Sequence, residues 1–246
     1  DGVIQGMLEF LGYPYTGSTV MASAMALDKS VSKEIFEYHR ISTPSFEIVD
    51  RSWLSRPERQ VFIKPPMVIK PVNGGSTIGI SIVKEEADIE RGVIEALKWS
   101  EKAVLERFVD GTLVAVGILK QQPLPVVEIV PKSGFYDYQA KYSEGRTTYY
   151  APARISEEKA KECQTAALEA HRALRCSGAT RADFIIDGDG KPFLLEVNTI
   201  PGMTEKSLLP MAAMCAGVKF LGLVEEILIE ALKKYADGKV LGEKKE

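Results

Sequence analysis

Four polar side chains in two short runs carry the sharpest chemical signal in the sequence: Arg181 and Asp183 in Arg181-Ala182-Asp183, and Glu196 and Asn198 in Glu196-Val197-Asn198. Residues two apart on a strand point to the same face. The intervening Asp187-Gly188-Asp189-Gly190 has hairpin-turn chemistry, so a hairpin built from these runs gathers all four side chains on one surface. Two carboxylates and an amide oxygen are hard ligands, suited to magnesium that also holds waters and phosphates. An arginine beside them can neutralise charge that develops during phosphoryl or acyl transfer. A solvated strand with a surface ion pair has the same spacing, but Phe184, Ile185, Ile186, Phe193, Leu194 and Leu195 surround these groups, and charge among apolar neighbours needs partners.

A second candidate is the loop Asn73-Gly74-Gly75-Ser76-Thr77-Ile78-Gly79. Its backbone N–H groups can wrap phosphate oxygens, because glycine permits close approach and positive φ. It lacks the Gly-Lys-Ser/Thr ending of a Walker loop and no helix pattern follows, which argues against that nucleotide fold; a plain hairpin connection fits the same residues. Lys70 is an ammonium on an otherwise apolar strand and suits a phosphate. Lys29, after Asp28 in a helical run, reads by itself as a solvated lysine. Tyr136, Tyr138, Lys141 and Tyr142 fall in a long aperiodic segment of the kind that forms lids, although an aromatic cluster packing its own loop reads the same. His39 and His171 lie in helical runs without a carboxylate or cysteine partner, and no Ser-His-Asp or Cys-His set assembles.

The elements that must position these groups follow from periodicity and turn signals. Helices are expected over residues 2–11, 23–40, 85–100, 157–174 and 221–235, and strands over 46–49, 67–70, 78–83, 103–108, 113–119, 124–130, 180–186 and 192–197. The order mixes helices and strands in an α+β arrangement. At 246 residues with 45% hydrophobic and 26% charged content, the chain can bury a sizeable core. A net charge of -3 offers no general basis for binding nucleic acid. Cys163, Cys176 and Cys215 lack zinc or disulfide spacing and read as reduced thiols. No apolar run approaches the length of a bilayer span, so no membrane partner is expected and a cytoplasmic location is. Asp1 opens directly into a helical pattern, which reads as a start in mid-protein.

Several stretches resemble D-alanine–D-alanine ligases, in the same order: Tyr15-Thr16-Gly17-Ser18, Met25-Ala26-Leu27-Asp28-Lys29, Val68-Ile69-Lys70-Pro71, Gly75-Ser76-Thr77-Ile78-Gly79, Phe135-Tyr136-Asp137-Tyr138-Gln139-Ala140-Lys141-Tyr142, Arg181-Ala182-Asp183-Phe184, and Leu195-Glu196-Val197-Asn198-Thr199-Ile200-Pro201-Gly202-Met203-Thr204 with Ser207-Leu208 after it. The resemblance implies an ATP-grasp fold of the broad α/β class, in which two α+β subdomains clasp ATP. It would divide the chain into residues 1–17, the stub of a Rossmann-like N-terminal substrate domain, 18–106, a central subdomain, and 107–246, the catalytic subdomain. It implies ATP-dependent joining of two D-alanines through a D-alanyl phosphate for peptidoglycan, and a homodimer when full length. Lys29, Lys70 and Lys141 would hold ATP phosphates, and Glu106 with the backbone of Arg107 to Val109 would meet the adenine. Asp183, Glu196 and Asn198 would hold two magnesium ions, with manganese able to substitute. Arg181 and the Gly202 backbone would stabilise the tetrahedral intermediate, Ser207 and the Leu208 backbone would take the second substrate's carboxylate, and Ser76 and Tyr142 would close the lid.

Two departures accompany the resemblance. Where the family has a glutamate for the ATP ribose hydroxyls, this chain has Leu113. Most of the N-terminal region, with the glutamate that grips the first D-alanine's amine, is expected to be missing from the stretch that begins at Asp1. Another ATP-grasp carboxylate–amine ligase, a weakened nucleotide-binding fragment, and a D-lactate or D-serine variant remain as alternatives.

Overall fold

The computed structural model describes residues 1–132 and 145–236. Two antiparallel sheets organise the chain. The first has four strands, β1 (Phe46–Asp50), β2 (Met67–Pro71), β3 (Ser81–Val83) and β4 (Lys102–Arg107), in the order β1-β4-β2-β3. Helix α4 (Ile89–Ala96) covers one face and buries Ile89, Val93 and Ala96 against Met67, Ile69 and Leu105. The second sheet has β5 (Gly111–Leu119), β6 (Gln122–Pro123), β7 (Val127–Pro131), β8 (Thr147–Tyr150), β9 (Thr180–Asp187) and β10 (Pro192–Asn198), in the order β10-β9-β5-β7-β8 with β6 paired to β5.

Strict alternation on β9 buries Thr180, Ala182, Phe184 and Ile186 on one face. Helix α5 (Glu157–Ala173) closes that face with Cys163, Ala167 and Ala170. The opposite face is capped at one end by α6 (Leu208–Cys215) and α7 (Phe220–Ala236), through Leu208, Leu209, Ala212 and Leu223. Gly111 admits β5 to this packing, since a Cβ there would sit 2.0 Å from the Ile186 carbonyl oxygen. Among the described residues no helix is long and apolar enough to cross a membrane.

Three local expectations change. The helix expected over 23–40 is two helices, α2 (Val20–Leu27) and α3 (Lys29–Tyr38), because Asp28 leaves helical geometry at ψ 104° and accepts hydrogen bonds from the Ser30 and Val31 N–H groups. An N-cap carboxylate of this kind outweighs the helical propensity around it. The strand expected over 78–83 shrinks to β3, because Gly79 takes a φ of 71°, a left-handed geometry no strand accommodates, continuing the positive φ of Ser76 and Thr77 in the loop before it. The helix expected over 85–100 is shortened to α4 after a single 3-10 turn at Glu86–Asp88.

Helices α2 and α3, within the stretch 18–106 expected to form the central unit, bury Ala22, Ala26 and Phe36 in the core of the six-stranded sheet. Before them, helix α1 (Val3–Leu11) leads into a loop whose Tyr15 ring meets Tyr235, from the last helix, edge-on at 6.0 Å, with the Lys234 ammonium 5.1 Å from the Tyr15 centroid. Cys163, Cys176 and Cys215 are free thiols. Burial pushes Cys163 up to about 12 and Cys176 up to about 11, so neither is a ready thiolate.

Candidate active site

The hairpin of β9 and β10 does gather the four residues on one face, through an irregularity that periodicity does not reveal. Leu194 pairs with Phe184, and then Glu196 pairs with Asp183 and Asn198 with Arg181, so Leu195 is an extra residue in the ladder. Such a bulge reverses the facing of everything beyond it. Leu194 and Val197 can therefore both enter the core, while Glu196 and Asn198 turn to the side of Asp183 and Arg181. Arg181 grips Asp183 with two hydrogen bonds, Nε to Oδ1 at 2.6 Å and Nη2 to Oδ2 at 2.8 Å. Asn198 Oδ1 accepts from the Ile200 N–H at 2.9 Å, which fixes the amide oxygen.

This face forms one wall of a cleft whose cavity measures about 220 Å³. The opposite wall comes from the four-stranded sheet and its glycine-rich loop. Lys29, Lys70, Ser76, Glu106, Arg107, Val109, Asp183 and Glu196 all line it. Lys29 is the first residue of α3, only 6% exposed, so the solvated-lysine reading does not hold. Its ammonium donates to the Gly74 carbonyl oxygen at 2.8 Å and stands 3.9 Å from Glu196 Oε2, which links the loop to the hairpin. Asp28 makes this possible, because the helix break at that residue places Lys29 at the cleft.

Lys70 on β2 pairs with Glu106 on β4 at 3.0 Å, and both are buried. Burial pushes the Glu106 carboxyl up, but Lys70 and Lys33 together outweigh it and hold the group below its ordinary range. Lys33, which sequence reasoning passed over, lies 2.7 Å from the other Glu106 oxygen with no exposure. A signal was available: Lys29, Lys33 and Phe36 share one helical stripe, and lysines aligned with a core phenylalanine are out of place on a solvated face. At the end of β4 the Arg107 and Phe108 N–H groups donate to Ser45 O at 2.9 Å and Pro66 O at 3.1 Å. Of the three N–H groups from Arg107 to Val109, that of Val109 is the one left to meet a ligand.

Gly202 and Ser207 come together beyond β10: a Cβ on Gly202 would stand 2.9 Å from Ser207 Oγ. Ser207 is the N-cap of α6 but makes no side-chain cap, its hydroxyl pairing instead with the Thr204 N–H and hydroxyl. The Leu208 N–H thus sits in the first turn of a helix, where unpaired donors and the helix dipole favour a carboxylate. Leu113 lines the same cleft, paired in register with Ile185 on one side and Ile129 on the other. Lys141 and Tyr142, with Tyr136 and Tyr138, lie outside the described residues. His171 is buried on the far face of the sheet and His39 caps α3, so neither reaches the cleft.

Asp183, Glu196 and Asn198 supply two carboxylates and an amide oxygen on one face, and Asp183 and Glu196 are direct cross-strand neighbours. That donor set fits magnesium better than a soft metal. Among the described residues no group of three or more His, Cys, Asp or Glu stands close enough to hold a metal.

The family described as D-ala D-ala ligase C-terminus matches residues 30–229. The D-alanine–D-alanine ligase of Syntrophotalea carbinolica is 46% identical over 233 residues, covering 94% of this chain and 74% of the relative. That of Synechococcus sp. (strain JA-3-3Ab) is 44% identical, covering 96% and 74%. Among solved structures, the D-alanine–D-alanine ligase of Bacillus anthracis complexed with ATP superposes with a TM-score of 0.82 at 30% identity, covering 97% of this chain and 77% of that one. VanG D-Ala:D-Ser ligase from Enterococcus faecalis gives 0.85 at 31% identity, covering 94% and 69%. With a family match over most of its length and relatives that it covers by about three quarters, the chain belongs to the D-alanine–D-alanine ligase family.

Proposed function

We propose that this chain carries out the ATP-dependent ligation of two D-alanines to D-alanyl-D-alanine, the dipeptide of peptidoglycan. The observation that carries the reading is the convergence of Lys29, Lys70, the glycine-rich loop, Asp183 and Glu196 on one cleft in a chain of this family. The geometry favours ATP with its adenine at the Val109 N–H and Glu106 and its phosphates between Lys29, Lys70 and the Ser76 loop. Asp183, Glu196 and Asn198 would hold two magnesium ions, which when bound screen and orient the phosphate oxygens.

The reaction then needs no protein nucleophile. The terminal phosphoryl group passes to a carboxylate oxygen of the first D-alanine, breaking its bond to ADP and giving D-alanyl phosphate. The amine of the second D-alanine attacks the acyl carbon, the C–N bond forms, the amine loses a proton and inorganic phosphate leaves. Positioning and charge neutralisation do most of the work in such transfers. Arg181, held planar against Asp183, and the Gly202 N–H would meet the negative charge of the tetrahedral intermediate. Ser207 and the Leu208 N–H would take the carboxylate of the incoming D-alanine, and Lys141 and Tyr142 would cover the reacting groups.

The likeness to a D-Ala:D-Ser ligase keeps D-serine as the competing second substrate. Relatives at 43–46% identity are D-alanine–D-alanine ligases, which favours D-alanine. Phosphate release from ATP, measured with D-alanine alone and with added D-serine or D-lactate, tests this directly. The expected result is release with D-alanine alone and dipeptide as product. A mixed D-alanyl-D-serine product in excess would overturn the substrate assignment, and no release with any of them would reduce the chain to a nucleotide-binding unit.

A further inference from the structure

Lys33 has no exposure at all, yet it carries an ammonium 2.7 Å from Glu106 Oε2, hydrogen-bonded to Thr43 Oγ1 and 5.1 Å from the Phe46 ring centroid. On the other side of the same carboxylate, Lys70 sits 3.0 Å from Oε1. Lys70 and Glu106 line the cleft, while Lys33 is not among its lining residues. Stability alone gives no reason for this arrangement. Glu106 and Lys70 already form a neutral pair, and burying a second ammonium adds a further desolvation cost. The second ammonium changes the charge, since Glu106 with Lys70 sums to zero and with Lys33 added the cluster carries one net positive charge. We infer that Lys33 is a positioning residue for the nucleotide: it supplies the counter-charge of Glu106 from behind, so that Lys70 meets the ATP polyphosphate with its full positive charge. The inference rests on the proposed role of Lys70 at the phosphates.

Two variants separate charge from packing. Lys33→Met keeps the stem and leaves the cluster at zero, while Lys33→Arg changes the shape and keeps the net positive charge at one. Calorimetric titration with ATP and magnesium should show Lys33→Met weakening ATP roughly tenfold to a hundredfold, the loss of one charge-assisted contact, and Lys33→Arg retaining most of the affinity. A packing role for Lys33 gives the reverse, with Lys33→Met close to the unsubstituted protein and Lys33→Arg impaired.

The pH dependence gives an independent reading. Burial lowers Lys33 to about 8, against the raising effect of Glu106 and of Glu37 on its own helix, with Lys70 lowering it further. ATP affinity of the unsubstituted protein should therefore fall as pH climbs through about 8, and Lys33→Arg, whose guanidinium stays charged, should lack that fall. If the unsubstituted protein fails to bind ATP, the reading of Lys70 falls and this inference with it. If it binds ATP but Lys33→Met changes nothing, or Lys33→Arg is no better than Lys33→Met, Lys33 alone loses its role. Should either variant fail to fold, the other and the pH dependence of the unsubstituted protein still decide.

Discussion

Arg181 and Asp183 on one face of β9 and Thr180 on the other are all paired, but the pairs differ in what could replace them. On the cleft face Arg181 and Asp183 satisfy each other beside Glu196, at the lip of a cavity that a polyphosphate and its cations can enter. On the far face the Thr180 hydroxyl bonds His171 Nδ1 at 2.8 Å and His171 Nε2 meets the Gln121 amide at 2.9 Å, with His171 and Thr180 showing no exposure. Nothing from outside can take either place. A strand that alternates with period two thus separates polar groups whose partners a ligand can exchange from polar groups whose partners are fixed by burial. Substitutions on the first face should change the reaction and spare stability, and those on the second should do the opposite.

The largest expected effect is on the cleft face. Asp183→Asn keeps the shape but removes a carboxylate ligand and the Arg181 counter-charge, and should lower phosphate release with D-alanine by roughly a thousandfold, with the thermal midpoint little moved. Steady-state rates beside a thermal melt check both halves. A rate within an order of magnitude of the unsubstituted protein removes Asp183 from the reaction, and a collapsed midpoint breaks the contrast between the faces.

How far such a contrast is legible in sequence depends on how local it is. Arg181 with Asp183, and Glu196 with Asn198, declare themselves because strand spacing alone joins each pair, and the Asp187 to Gly190 turn joins the two strands. The bulge at Leu195 leaves no local mark: regular alternation would have set Glu196 opposite Ala182, on the core face. Asn73 to Gly79 reads as a loop, but the positive φ of Ser76 and Thr77, neither of them glycine, leaves no mark in the sequence. The stripe of Lys29, Lys33 and Phe36 marks Lys33 as out of place on a solvated face, but its partners Thr43 and Glu106 lie elsewhere in the sequence, and only the folded chain brings an α3 lysine behind Glu106. The family motifs supplied roles for Lys29 and Ser207, whose residue types alone signal nothing.

The far face should answer to pH. Burial lowers His171 to about 4 from its ordinary 6.5, with Arg172 adding to the effect. The neutral ring accepts from Gln121 and donates to Thr180, and a second ring proton would face the Gln121 donor. The unfolded chain takes up a proton that the folded one refuses, so the contribution is present above about 6.5 and is lost as pH falls through about 4. The expected loss across that window is about 3 kcal/mol at most, read from urea unfolding at several pH values. Replacing His171 with Gln should flatten this segment of the curve while leaving nucleotide affinity intact. An unchanged slope would show that other groups carry the acid sensitivity, and a loss of ATP binding would show that the two faces are coupled.

The smallest expected effect lies back in the cleft, at Leu113. In the cross-strand row beside Asp183 and Ala115, Leu113 stands between Ile185 and Ile129, so the floor next to Asp183 is apolar just where the sugar of a nucleotide anchored at Asp183 would lie. An apolar row accepts no hydrogen bond from ribose hydroxyls, and ATP and its 2′,3′-dideoxy analogue should therefore bind this protein about equally. Leu113→Glu would supply the acceptor. A hydrogen bond to a charged group contributes about 1.5–3 kcal/mol, less the cost of desolvating the new carboxylate between two isoleucines, so ATP should tighten by about tenfold while the dideoxy analogue gains nothing. Competition binding with both nucleotides on both proteins separates the possibilities. A dideoxy analogue that binds the unsubstituted protein much more weakly than ATP would mean that the sugar is held elsewhere, with Asp110, exposed on the cleft lining three residues before Leu113, as the first group to replace.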